Sequence, residues 1–476
     1  MAIFKNFSDA SLRPPAHDHQ PPAKASAPVT WAMLDIKAYI ADRRNATTAF
    51  GRTSNGAEIQ VTFCTAPPPA VSYVCVWYPE PSRVTEIATE PRIIAAEADV
   101  VVLSLGLTSS VSCFDHGNRD IFIYKAGGGE KRPSLNRLVC RCHHSELFHN
   151  VGILHHRNDD SSPDDDQYHV VGLNPSEFPW QFELHISNSK AEHWSHRTVS
   201  LDQQHRRSEF RHSASKVIML GEGGLMGFVD PWRGILVCDV LYSTHLNYLP
   251  FPLSLRHNMK LHLDPVIARD IAVVKGRIKV VDLSGAFVSS GWKATMWSRT
   301  ATSSQEEEWS MDFALQIRDI LVDSNTLHLE LLPELKDDVG NGTSRKNLEG
   351  LHLTHPTLSL DDDDIVYFMA KVDPWDKRAW VLAVDMRNKK LRDVGVFRAE
   401  RTHGIALSYT QSRIPKYFST APGVKGGLKR PRKFLLENPR KKRSGIQLTD
   451  DIAYAPMQHD NQSSTGDEDG DYMDLD

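Results

Sequence analysis

Cysteine is scarce. Six in a chain of 476 residues give no framework for a disulfide-stapled fold and fit a reducing compartment. No run of 18 apolar residues occurs, so no segment reads as a membrane-spanning helix and no membrane partner is expected. The opening residues 1–15 lack the continuous apolar core of a secretory signal. Glycine (28) and proline (27) stand near their averages, which excludes a collagen-like or wholly low-complexity chain. Enzyme signatures are missing as well: there is no G-x-S-x-G elbow, no H-E-x-x-H and no kinase set. The segment 221–227 carries Met226 where G-x-G-x-x-G requires its last glycine, and 126–131 is not followed by Ser or Thr as a phosphate loop requires. Both read as turns, and no cofactor is expected.

What the chain does contain is a long series of short apolar runs: 59–63, 71–77, 100–105, 121–124, 217–220, 235–240, 271–274, 278–283, 327–332, 365–371 and 380–386. Val, Ile, Tyr, Phe and Trp dominate them, as strands prefer. Turn residues such as Lys275-Gly276, Ser284-Gly285 and Asn388-Lys389 separate them. Residues 270–283 read as one tight hairpin, and 365–397 as a three-strand meander. Helical spacing is best at 31–42 and 310–321. So many strands over about 390 residues exceed one sandwich, whereas radially repeated sheets hide their edges. The expected fold class is mainly β: a β-propeller-like body of about six or seven four-stranded blades over 30–419, with disordered N- and C-terminal tails. Packed sandwiches or barrels are the alternative.

The leader 1–29 is rich in Pro and Ala and is expected to be disordered, with a transit peptide as the other reading. The tail 420–476 is split by charge. Residues 425–443 hold nine Lys and Arg against one Glu, and 450–476 hold nine acids and no Lys or Arg. Lys429 and Arg430, then ten residues, then Lys441, Lys442 and Arg443 have bipartite nuclear-import spacing. The expected partner is a nuclear import receptor and the expected location is the nucleus, or nucleus and cytoplasm. The basic block has one aromatic, Phe434, and an acidic neighbour that competes for it, so direct nucleic-acid binding is not expected. A plain solvated basic tail is the alternative.

Residues 228–241, 248–252, 269–279, 364–373 and 380–387, together with 31–48, resemble a plant family abundant in grasses, the domain of unknown function 1618. The resemblance spans about 30–418, and its most specific core is Trp232-Arg-Gly-Ile-Leu-Val-Cys-Asp239. It implies no activity. The strand pattern is similar to propeller regions attached to F-box proteins, which recognise partner proteins, although no F-box-like helical pattern lies before Trp31. Read as residues, Asp230, Trp232, Arg233, Gly234, Cys238 and Asp239 are structural. Asp230-Pro231 starts a turn, Trp232 is an apolar plug, Gly234 permits a tight path, Arg233 can pair with Asp230 or Asp239, and Asp239 can accept turn amides.

Cys140, Cys142, His143 and His144 are the densest metal-like cluster, since thiolate and imidazole are zinc's ligands. Cys-x-Cys is not knuckle spacing, and Cys140 and Cys142 on one face of a strand suit core packing equally. No metal is expected there, nor at Asp361–Asp364, which lacks calcium-loop spacing. The function expected is a protein-interaction module, non-enzymatic, with protein partners bound by propeller loops. The alternatives are a hydrolase-type enzyme with a central pocket and a nucleic-acid-associated factor acting through its basic tail.

Overall fold

In the computed structural model, the apolar runs become strands because both of their faces are covered. Along Val100–Gly106, Val101 and Leu103 enter one hydrophobic cluster while Val100 and Val102 enter another. That two-sided burial explains a nearly continuous apolar run where one-sided burial would give alternation. The structure describes residues 7–15, 28–79, 87, 89–107, 119–127, 131–139, 151–156, 167–178, 180–190, 194–206, 210–221, 223–257, 264–285, 291–302, 307–333, 337–338, 345–346, 348–401 and 409–418.

The protein is mainly β, with one short α-helix, Leu253–His257, among the described residues. The first sheet holds β1 (Ala32–Asp35), β2 (Tyr39–Ile40), β3 (Ala49–Arg52), β4 (Glu58–Cys64) and β5 (Val71–Trp77). Antiparallel meanders follow: β6 (Arg92–Glu97), β7 (Val100–Gly106), β8 (Arg119–Lys125) and β9 (Ser134–Leu138), then β10 (Val151–His156), β11 (Gln167–Pro175), β12 (Gln181–Asn188) and β13 (Trp194–Leu201). The next are β14 (Lys216–Met219), β15 (Leu225–Asp230), β16 (Gly234–Asp239) and β17 (His245–Pro250), then β18 (Arg269–Val274), β19 (Arg277–Ser284), β20 (Lys293–Thr300) and β21 (Ser310–Gln316). A small pair, β22 (Asp337–Asp338) and β23 (Arg345–Lys346), precedes β24 (His352–Leu358), β25 (Ile365–Lys371), β26 (Arg378–Asp385) and β27 (Lys390–Arg398). The last strand, β28 (Tyr409–Ser412), returns to the first sheet and pairs antiparallel with β1, Ala32 against Ser412. β13 and β17 pair in parallel, joining two meanders into one sheet.

Six hydrophobic clusters lie between consecutive groups of strands, and the sixth joins β25–β27 to Trp31, Met33 and Val71 of the first sheet. The opening strands β6, β10, β14, β18 and β24, with β28, contribute residues to one cavity of about 850 Å³.

Several sequence expectations are corrected. Residues 31–42 form strands β1 and β2 instead of a helix, because Trp31 to Ile36 are buried without a break and no solvent face remains for helical spacing to express. Residues 310–321 are β21 followed by a 3-10 turn, Ile317–Asp319; β20 supplies backbone partners, and Phe313 and Leu315 alternate onto one cluster. The run 327–332 is not a strand, since His328 sits at φ 51 and Leu329–Leu331 form a 3-10 turn. Part of the leader packs on the body. Asp9–Leu12 is a 3-10 turn, Phe7 and Leu12 meet a core cluster, and the Tyr73 hydroxyl donates to the Pro15 carbonyl at 3.0 Å.

The expected hairpin is present. Lys275 and Gly276 take φ 47 and 75 between β18 and β19, the left-handed pair that a two-residue turn of this twist uses.

Candidate functional site

The family-like segment folds as a turn built around one carboxylate. Asp230 is buried. Its Oδ1 accepts from the Trp232 amide at 3.0 Å, and its Oδ2 accepts from the Ser213 amide at 2.9 Å and from Arg233 Nη1 at 3.0 Å. Arg233 thus pairs with Asp230. Asp239 Oδ1 accepts from the Leu241 and Tyr242 amides at 3.0 and 3.2 Å. A methyl group on Gly234 would meet the Leu249 carbonyl oxygen at 2.5 Å and Pro250 Cα at 3.0 Å, so β16 and β17 approach more closely than a side chain permits. Cys238 is buried in the core, and that burial pushes its thiol up to about 12.

Arg269 anchors this turn to the next sheet. Its guanidinium lies 4.7 Å from the Trp232 ring centroid, donates from Nε to Asp282 Oδ1, donates from Nη1 to the Pro231 carbonyl at 2.9 Å, and donates from Nη2 to the Leu255 carbonyl. The side chain is fully buried, a state whose desolvation cost is offset by the paired carboxylate and by a hydrogen bond from each of its three nitrogens.

The cavity collects the chemistry-bearing residues that lie outside this turn. Lys216 Nζ donates to Asp270 Oδ1 and to Gln411 Oε1, both at 2.7 Å. Asp270 Oδ2 accepts from the Leu358 amide at 2.9 Å and from Gln411 Nε2. Gln411 Nε2 also donates to the Leu358 carbonyl at 3.0 Å. Four strands (β14, β18, β24 and β28) are therefore tied by three side chains. His355, buried in a bulge of β24 at φ 51, and Tyr409 line the same space, with ring centroids 6.2 Å apart. Burial pushes the Tyr409 phenol well up. Glu97, at the end of β6, also faces the cavity; burial raises its carboxyl above the ordinary range while the Arg413 charge opposes that rise. Arg92 and Arg119 line the cavity with exposed side chains.

The metal-like residues Cys140, Cys142, His143 and His144 lie outside the described residues, as do the import residues Lys429, Arg430, Lys441, Lys442 and Arg443. Asp361, Asp363 and Asp364 are engaged by Arg413, Lys279 and Arg387 at 3.1, 3.0 and 2.6 Å. Sequence reading assigned no role to Lys216, Asp270, Gln411, Arg92 or Arg119. For all of these but Gln411, the available signal was a charged residue at or near the start of an otherwise apolar strand, as in Arg269-Asp270 before Ile271.

These features define a mainly β protein of several sheets with a shared polar cavity. Residues 228–367 match the family model described as a protein of unknown function, DUF1618, and this segment belongs to that family. No curated protein matches the chain. Among solved structures, an uncharacterized protein from Listeria monocytogenes EGD-e is similar at 8% identity, covering 64% of this chain and 81% of its own, with a TM-score of 0.24. A protein of unknown function from Dyadobacter fermentans DSM 18053 is similar at 10% identity, covering 78% of this chain and 98% of its own, with a TM-score of 0.30.

Proposed function

We propose that this chain is a non-enzymatic interaction protein, a β-propeller of six blades whose turns bind partner proteins and whose basic tail is carried into the nucleus by an import receptor. The propeller reading is supported by six inter-sheet clusters in chain order and by opening strands that share one cavity. The observation that carries the binding reading is Trp375, at the β25–β26 turn. It is 79% exposed, and Val372 beside it is 47% exposed. The turn is held from within: Asp373 Oδ1 accepts from the Trp375 amide at 2.8 Å, the Asp376 amide donates to the Asp373 carbonyl at 3.0 Å, and Lys371 Nζ donates to the Pro374 carbonyl at 3.1 Å. An indole presented on a fixed turn loses little ordering entropy on binding, and tryptophan is enriched where binding energy concentrates. In the cavity, by contrast, Asp270 has both oxygens engaged. A second reading, a hydrolase-type enzyme, is favoured only by the raised Glu97 carboxyl, a property that general acids share.

Proximity labelling in cells, compared between the parent and Trp375→Ala, tests the binding reading. The expected outcome is loss of a defined set of labelled proteins with no change in melting temperature; an unchanged set would reject Trp375 as the contact. The tail is tested by a fluorescent fusion. Replacing Lys441, Lys442 and Arg443 with alanine should move the full-length protein from nucleus to cytoplasm, because it removes one of the two basic clusters. A variant as nuclear as the parent leaves the block as a solvated tail.

A further inference from the structure

We infer that the cavity holds an oxyanion site formed by Arg92 and Arg119, suited to a small molecule carrying a phosphate or carboxylate group. The inference stands apart from the interaction reading above. Arg92 pairs in register with Ser104, and Arg119 with Gly106. Directly opposed residues share a face, and Ser104 and Gly106 are two positions apart, so all four lie on one face of the β6–β9 sheet. Farther along that face, Val100, Val102, Ile121 and Ile123 pack on Val151, Ile153 and Val170 of β10 and β11. The two guanidiniums therefore stand where the crevice between these sheets opens into the cavity.

Among the described residues, neither guanidinium has a carboxylate within ion-pair distance. Glu90, which acts on Arg92 at longer range, is engaged by Lys37 at 3.0 Å and by the Ser11 hydroxyl. Asp120, next to Arg119 and therefore on the other face, accepts from the Ser54 amide at 2.7 Å and pairs with Arg137 at 3.7 Å. Desolvation, and after it the Arg119 charge, lower the proton affinity of Arg92, while Glu90 opposes that fall. Neutral donors adjoin them. The Ser104 hydroxyl is buried on the same face, and the Thr89 hydroxyl occupies the space that a side chain at Gly106 would fill, 2.6 Å from the position of the missing Cβ. Two planar forks with hydroxyls beside them match the oxygens of a phosphate or carboxylate. The cavity of about 850 Å³ is within the range of small-molecule sites.

Titration calorimetry of the full chain with inorganic phosphate, phenyl phosphate and succinate tests the site and separates phosphate from carboxylate. Arg92→Gln and Arg119→Gln should each weaken binding by at least about tenfold, since each removes a charge-assisted pair of hydrogen bonds. Arg137→Gln, on the opposite face of the same sheet, should leave it unchanged. Should either glutamine variant lose its strand-type circular dichroism, Arg92→Lys replaces it; keeping the charge without the fork should give an intermediate affinity. Three results would each overturn the inference: no saturable binding of any probe, equal binding by parent and both glutamine variants, or binding abolished by alanine at Lys441, Lys442 and Arg443 alone.

Discussion

His212 shows how one buried ring sets a pH dependence. Its Nε2 lies 2.9 Å from the Phe228 carbonyl oxygen. A carbonyl only accepts, so Nε2 carries the hydrogen and Nδ1, buried without a partner, is bare. Protonating Nδ1 would place a charge in that unpartnered position, and burial accordingly lowers the folded value to about 4 from 6.5, against the pull of Asp230. Below pH 6.5 the unfolded chain gains a proton that the folded chain refuses, so stability is complete above that pH and drains as pH falls toward 4. The full loss is of order 3 kcal/mol. Denaturant melts of the parent at pH 7, 6, 5 and 4 should show this decline, and His212→Leu should be flatter over the same range. Identical slopes would exclude His212 as the source. Arg269 makes a related point: sequence placed it in a family-like stretch without a role, because the carbonyls of Pro231 and Leu255 that fix it are remote in the chain.

Strands were legible where both faces are apolar. Residues 71–77, 100–105, 121–124, 278–283 and 365–371 all lie in strands, each buried along most of its length. Strands β12 and β13, QFELHISN and WSHRTVSL, contain no continuous apolar run; their apolar residues Phe182, Leu184 and Ile186, and Val199 and Leu201, alternate with polar ones. One face of each packs into a hydrophobic cluster, and the neighbouring strands supply the backbone partners. β28 is the extreme case: four residues, Tyr-Thr-Gln-Ser, with no hydrophobic run at all, placed by β1 on one side and by Gln411 on the other. Gln411→Ala should therefore weaken the whole body. It removes hydrogen bonds to Asp270, Lys216 and Leu358, and the loss is about 2–3 kcal/mol given the charged partners. The urea midpoint should fall with an unchanged m-value; a shift equivalent to under about 0.5 kcal/mol would show that β28 is held by its backbone alone.

At the scale of the molecule, sequence conveyed the mainly β class but not the shared cavity. The cavity is lined by residues of nine strands and their flanking turns, spread from Ile36 to Arg413, and no local spacing records that convergence. The pairing of β1 with β28 has a kinetic side. It joins positions about 380 residues apart, and the entropy of closing so long a loop grows only as the logarithm of its length. The finished seam is consequently inexpensive to keep, yet it raises the contact order of the fold, which slows assembly. Until Tyr409–Ser412 arrives, β1 lacks the partner that β28 provides, and its exposed edge is open to any passing strand, including one from another copy of this chain.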